Sequence, residues 1–309
     1  MSSALLVPPA AAPSLAGVLG PAAQYAASGL ATGSLYALVA LGVVLLYRAS
    51  RILNFAHGDL ATFTTFVAFT LLGRGAPFGT AVGLSLAAAA AMGAGFYLAA
   101  IRPVKEGTLL GQIVMTLGLA LVLSGTMQVL WGADTQVFPF PLSETRIYRL
   151  GSLVISEVSL GTIAAGVVLM AVLYGLVQRT RMGLAMRAVA QHPAAAQALG
   201  IPTRRIYAAT WALASALGGA AGILLAPVVY LDPFMMLDPF LKGFAAAVLG
   251  GMDSLPGAVL GGFLLGVAEA LFAGFVSLQF KTTLAFVIII LVLLVRPEGI
   301  LGREYHRRV

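Results

Sequence analysis

Hydrophobic positions in this chain come in long unbroken runs, without the alternation of a half-buried strand or the one-sided stripe of a surface helix. Residues 1–47, 75–101, 107–133, 158–178 and 206–231 contain no Asp, Glu, Lys or Arg. A helix rises ~1.5 Å per residue, so ~20 apolar residues cross the ~30 Å hydrocarbon core, and backbone groups in lipid must pair within their own segment. The pattern predicts spans at Gln24 to Tyr47, Ile52 to Leu72, Phe78 to Ala100, Thr108 to Leu130, Val158 to Gln178, Ile206 to Tyr230 and Thr282 to Val295. Pro239 to Gly251 gives only ~20 Å of helix and runs into the breaker cluster Gly251-Met252-Asp253-Ser254-Leu255-Pro256-Gly257 before a second apolar stretch, Gly257 to Phe275. This region reads as a broken, re-entrant helical hairpin near residues 239–276, or as two short full spans joined by a loop. The fold class is an all-α integral membrane protein, a polytopic bundle of about eight transmembrane segments. Gly29/Gly33, Gly218/Gly222, Gly257/Gly261 and Gly262/Gly266 have the spacing that lets helix backbones approach closely, with packing as the default reading.

Composition agrees: 60% of residues are hydrophobic and 9% charged, with a mean hydropathy of +0.98, against ~25% charged residues in soluble domains. The net charge of +7 does not point to nucleic acid, because the basic residues sit in short connectors and not along an aromatic-rich face. Their placement fits the positive-inside bias. With the N-terminus outside, Arg48, Arg51, Arg102, Lys105, Arg179, Arg181, Arg187, Arg204, Arg205, Arg296, Arg303, Arg307 and Arg308 lie inside, 13 of 18 basic residues. The expected organisation is an extracytoplasmic tail at 1–23, a transmembrane domain at 24–302 with a long cytoplasmic connector at 179–205, and a cytoplasmic tail at 303–309. The tail lacks the basic start of a cleavable signal peptide. Absence of Cys removes disulfides, thiolate metal sites and cysteine nucleophiles. None of the three lysines, Lys105, Lys242 and Lys281, stands in a Gly-x-x-x-x-Gly-Lys-Ser/Thr phosphate loop.

Three interruptions of the hydrophobic pattern carry chemistry. Asn54, His57, Gly58 and Asp59 open a predicted span; groups of this kind normally face a bundle interior or a watery cavity, or else cap neighbouring backbones near the membrane edge. One His and one Asp are too few for a metal site. The connector from Arg179 to Arg205 holds five Arg and no acid, with a short helix expected at Pro193 to Leu199, opened by proline and closed at Gly200. Its Ala-rich surface suits docking into a partner's groove or lying on anionic lipid. Glu269 stands in an otherwise apolar stretch and needs a buried hydrogen-bond partner or a watery pathway.

At these segments the chain resembles permease subunits of bacterial ABC importers for branched-chain amino acids. The likeness lies in GSLYALVALGVVLLYRASRILNFAHGD (Gly33 to Asp59), RTRMGLAMRAVAQHPAAAQALGI (Arg179 to Ile201), AAVLGGMDSLPGAVLGGFLLGVAEAL (Ala246 to Leu271) and LVLLVRPEGILG (Leu291 to Gly302). The resemblance implies a non-enzymatic transport subunit in the bacterial inner membrane, paired with a second related permease. Two cytoplasmic ATPases that bind ATP, and an extracytoplasmic substrate-binding protein, would complete the importer, with no cofactor on this chain. Arg181, Gly183, Arg187, Ala188 and Gly200 would form the ATPase-coupling loop, and Asn54, His57, Gly58, Asp59, Asp253 and Glu269 are the pathway or gate candidates. Related permeases import urea or short amides. A gradient-driven transporter using Asp59 and Glu269 is the alternative of another class, and a membrane enzyme pairing His57 with Asp59 is a third.

Overall fold

The computed structural model describes residues 15–104, 108–143, 145–150 and 153–302. Expectations for residues 1–14, for Lys105 and for the tail at 303–309 lie outside the described residues. The elements are α1 (Leu15–Ser50), α2 (His57–Gly73), α3 (Phe78–Phe96) ending in a π turn (Tyr97–Ile101), α4 (Leu109–Trp131), strands β1 (Ile147–Leu150) and β2 (Leu153–Ser156), α5 (Glu157–Arg179), α6 (Arg181–Gln191), α7 (Pro193–Ala198), α8 (Thr203–Val229), α9 (Leu237–Gly250), α10 (Leu255–Phe275) and α11 (Lys281–Val295). Among the described residues, six helices are long and apolar enough to cross a membrane: α1, α3 with its π turn, α4, α5, α8 and α10. Three shorter ones, α2, α9 and α11, with 17, 14 and 15 residues, complete the bundle.

α1 is the central column. The apolar window of α1 is 89% buried, whereas that of α4 is 22% buried, so α4 presents most of its surface outward. Glycine lets α1 and α10 touch backbone to backbone. A Cβ added at Gly29 would come within 2.7 Å of the Gly266 carbonyl oxygen, and one at Gly262 within 2.5 Å of the Ala37 Cα. The same holds where α8 meets α2, with Gly222 facing Ala61 and Thr65, and where α9 meets α10, with Gly261 facing Ala246. All four glycine pairs singled out by spacing thus lie at helix contacts, which in lipid depend on close van der Waals approach.

Several boundaries differ from expectation for local reasons. α1 begins at Leu15, within the stretch expected to be tail, and continues through Pro21. The second span starts at His57, not Ile52, because the chain leaves α1 through Arg51 at φ 57° and turns about Asn54. The Asn54 side chain accepts the Ala56 N–H at 3.0 Å, and its carbonyl accepts the His57 N–H at 3.2 Å. This non-helical stretch is shielded from lipid, with Ile52, Asn54 and Ala56 buried. The β1–β2 hairpin was not expected from the apolar pattern. It is clasped to α1 by Gln24, whose amide donates to the Val154 carbonyl at 2.7 Å and accepts the Val154 N–H at 2.8 Å.

The broken hairpin is present as short α9 and full-length α10, turning at Gly251 (φ 105°). The C-terminal segment seals that turn: the Ile300 and Leu301 N–H groups donate to the Leu249 and Gly250 carbonyls at 2.8 and 3.0 Å.

Candidate functional site

The polar entry to α2 splits into two environments. His57 is 1% exposed, and neither ring nitrogen has a hydrogen-bond partner among the described residues. Its ring fills a slot between α1 and α8 made by missing side chains: a Cβ at Gly42 would lie 2.5 Å from the ring, and one at Gly218 2.8 Å. With no carboxylate on either nitrogen, His57 is not half of an acid–base pair with Asp59. Gly58 packs against Met236 and Phe240, where a Cβ would meet the Phe240 side chain at 3.2 Å.

Asp59 faces another way. It borders a cleft of about 230 Å³ between α2, α4, the start of α9 and the segment before it, with Phe55, Thr62, Leu117, Ala120 and Phe240 among the walls. Leu117, Phe234 and Leu237 are exposed at its rim, so the cleft opens on the side of the bundle. Among the described residues, Asp59 is the only ionisable one lining it, and its carboxylate has no ion-pair partner.

The other two candidate acids are already partnered. Glu269 on α10 is 1% exposed; one carboxylate oxygen lies 2.5 Å from the Lys242 ammonium of α9, and the other accepts the Tyr36 hydroxyl of α1 at 2.8 Å. Lys242, itself 4% exposed, also meets Asp238 at 2.7 Å, one turn earlier on α9. Lys281 approaches Glu269 at 3.9 Å from the start of α11. This is the buried-partner reading of Glu269, with Lys242 and Tyr36 the groups that sequence reasoning missed. Asp238 and Lys242, an i,i+4 pair inside the short apolar helix, were the available signal. Asp253 lies at the α9–α10 turn, paired with Arg51 at 2.9 Å. It borders a cavity of about 600 Å³ at the Arg-rich end, shared with Arg48, Arg187 and His192.

The connector folds as two helices where one was expected. α6 is capped by Thr180, whose hydroxyl accepts the Gly183 N–H at 3.0 Å, and it packs so tightly on the end of α5 that Gly183 has no room for a side chain against Leu176 and Val177. Arg187 turns back to hydrogen-bond the side chain and carbonyl of Gln178. Met186, Val189, Ala196 and Ile206 form a small core joining α6, α7 and α8, with Ala188 packed at its edge. Arg181 stays exposed. α7 ends at Ala198, and Gly200 closes it at φ 81°. Leu199 and Leu184 are left 82% and 61% exposed on this surface.

A bundle of apolar helices of spanning length, with a side cleft and an Arg-bearing helical pair at one end, has the build of a multi-pass membrane protein. The chain matches the family described as branched-chain amino acid transport system, permease component, over residues 25–295, and it belongs to that family. It is 34% identical over 299 residues to the high-affinity branched-chain amino acid transport system permease protein BraD of Pseudomonas aeruginosa, covering 93% of this chain and 97% of that one. It is 32% identical to LivH of Escherichia coli K12, a permease protein of the same description, across 91% and 96% of the two chains. A more distant relative, at 30% identity across 76% of this chain and 77% of the other, is the guanosine ABC transporter permease protein NupQ of Bacillus subtilis.

Proposed function

We propose that the chain is one of two related permeases lining the import pathway of an ABC importer for branched-chain or similar small amino acids in the bacterial inner membrane. Two ATPases dock on the Arg-rich cytoplasmic end, and a substrate-binding protein delivers cargo at the opposite end, where α1 begins. The observation that carries this reading is the similarity to BraD, which extends across nearly the whole of both chains. The lack of a phosphate loop agrees with ATP being bound by partner subunits.

The coupling step follows from mechanical connection. α7 and α6 share a core with α8, and Arg187 and Gly183 tie α6 to α5. A push on α7 therefore moves two spanning helices as a unit, which is how a packed, bistable bundle turns a small displacement into a change of open side. Exposed Leu184 and Leu199 form the apolar part of the docking surface.

The test is uptake of labelled leucine into vesicles that hold this chain with its partner subunits and binding protein. Uptake should require ATP and survive a protonophore, and Leu199→Asp should cut it severalfold while the chain still inserts. ATP-independent uptake that collapses with a protonophore would instead establish the gradient-driven transporter, and a preference for a nucleoside such as guanosine over leucine would reassign the substrate.

A further inference from the structure

Three acids were candidates for the pathway, and two are neutralised within the chain. Glu269 has Lys242, and Asp253 has Arg51. Asp59 alone borders a cavity without a cation among the described residues, and a carboxylate near lipid is costly unless something positive comes to it. Apart from Thr62, whose hydroxyl donates to the Gly58 carbonyl, the remaining walls, among them Phe55, Leu117, Ala120 and Phe240, are apolar. At about 230 Å³ the cleft is smaller than the ~300–1,000 Å³ of pockets for drug-sized ligands, so it suits a molecule of few heavy atoms. One carboxylate facing an otherwise apolar, small, laterally open space is complementary to a small molecule with one ammonium group and one hydrocarbon side chain.

We infer that Asp59 receives the ammonium group of the cargo amino acid and that the cleft takes its side chain, which makes Asp59 a specificity-determining residue. The assignment rests on the permease reading above. The cargo's own carboxylate, on the same carbon as the ammonium group, would then face the open side of the cleft. Neutral cargoes such as urea, short amides or a nucleoside can give this carboxylate only neutral N–H or O–H hydrogen bonds, which are weaker than those from a charged donor, so the residue favours amino acids among the substrates of related permeases. Ala120 is the place where the wall can be thickened to shorten the side chain that fits.

The experiment uses the complete importer in proteoliposomes, measuring ATP-driven uptake of labelled leucine and valine by wild type, Asp59→Asn, Asp59→Glu and Ala120→Leu. The expected result is a tenfold or greater loss of uptake for Asp59→Asn, in line with removal of a charge-assisted hydrogen bond, with Asp59→Glu retaining a substantial part. Ala120→Leu should raise the valine-to-leucine uptake ratio severalfold. Wild-type uptake with Asp59→Asn unchanged, or an Ala120→Leu ratio like that of wild type, would overturn the assignment and leave the permease reading intact. Failure of Asp59→Asn to co-purify with its partner permease would overturn it too, because Asp59 would then hold subunits together. No uptake of any amino acid by the wild-type complex would remove the cargo reading and the assignment together.

Discussion

Lys242 and Glu269 meet inside the bundle, Nζ to Oε1 at 2.5 Å, from two helices that run antiparallel on either side of the Gly251 turn. Neither residue is more than 4% exposed, and the Tyr36 hydroxyl donates to the second carboxylate oxygen from the central helix. Three helices are therefore joined at one charged point.

Breaking one half of such a pair strands the other charge, at a cost of ~3–5 kcal/mol, whereas replacing both by apolar residues of similar size is often nearly neutral. Lys242→Met and Glu269→Met should each lower the thermal unfolding temperature of the purified protein in detergent, and the double variant should recover most of the loss. Additive losses in the double variant would show that the two charges are not coupled.

Asp253 provides the contrast. It pairs with Arg51 at side-chain exposures of 30% and 48%, and exposed pairs contribute ~0–1 kcal/mol. Asp253→Asn should shift the same unfolding temperature little and leave ATP-driven uptake near the wild-type level. A large loss of uptake at unchanged stability would return Asp253 to the pathway.

The glycine seam between α1 and α10 should tolerate no side chain. Gly262→Ala puts a methyl group 2.5 Å from the Ala37 Cα and N, both backbone atoms that cannot swing aside, so the helices must separate, at ~1–3 kcal/mol for overpacking. Gly125→Ala, where nothing lies within 4 Å, is the control and should be neutral or slightly stabilising. Equal unfolding temperatures for the two variants would contradict the close backbone contact.

His57 and Gly42 should be coupled in the same assay. Gly42→Ala collides with the imidazole, and His57→Ala empties its slot, so the double variant should be less destabilised than the sum of the singles, by ~0.5–3 kcal/mol. Strict additivity would mean that the ring does not fill the slot.

Much of this was legible in the sequence because lipid permits so few solutions. Charge-free runs of helical length had to be spanning helices, and the glycine pairs at four-residue spacing all lie at helix contacts. The start of α2 was misplaced because Ile52 and Leu53 read as apolar helix, while the turn around Asn54 is set by one side-chain hydrogen bond that hydropathy does not register. Lys242 was missed as Glu269's partner because the two are separated by the Gly251 turn, and only the folded hairpin brings α9 against α10. Asp59, His57 and Gly58 read as one polar cluster in sequence. Their separation into a packed ring, a helix contact and a cleft-facing carboxylate depends on helical phase and on which neighbour each side meets.

The two bonds from Gln24 to Val154 have a mechanical meaning for the opposite end of the molecule. A hairpin hanging only from its own connections would swing under load and dissipate it. Clasped to the helix on which α5, α8, α9 and α10 pack, it works as a handle: a body that settles on the β1–β2 hairpin takes hold of the axle of the bundle, and news of its arrival has one rod, α1, along which to reach Arg48 at the far side.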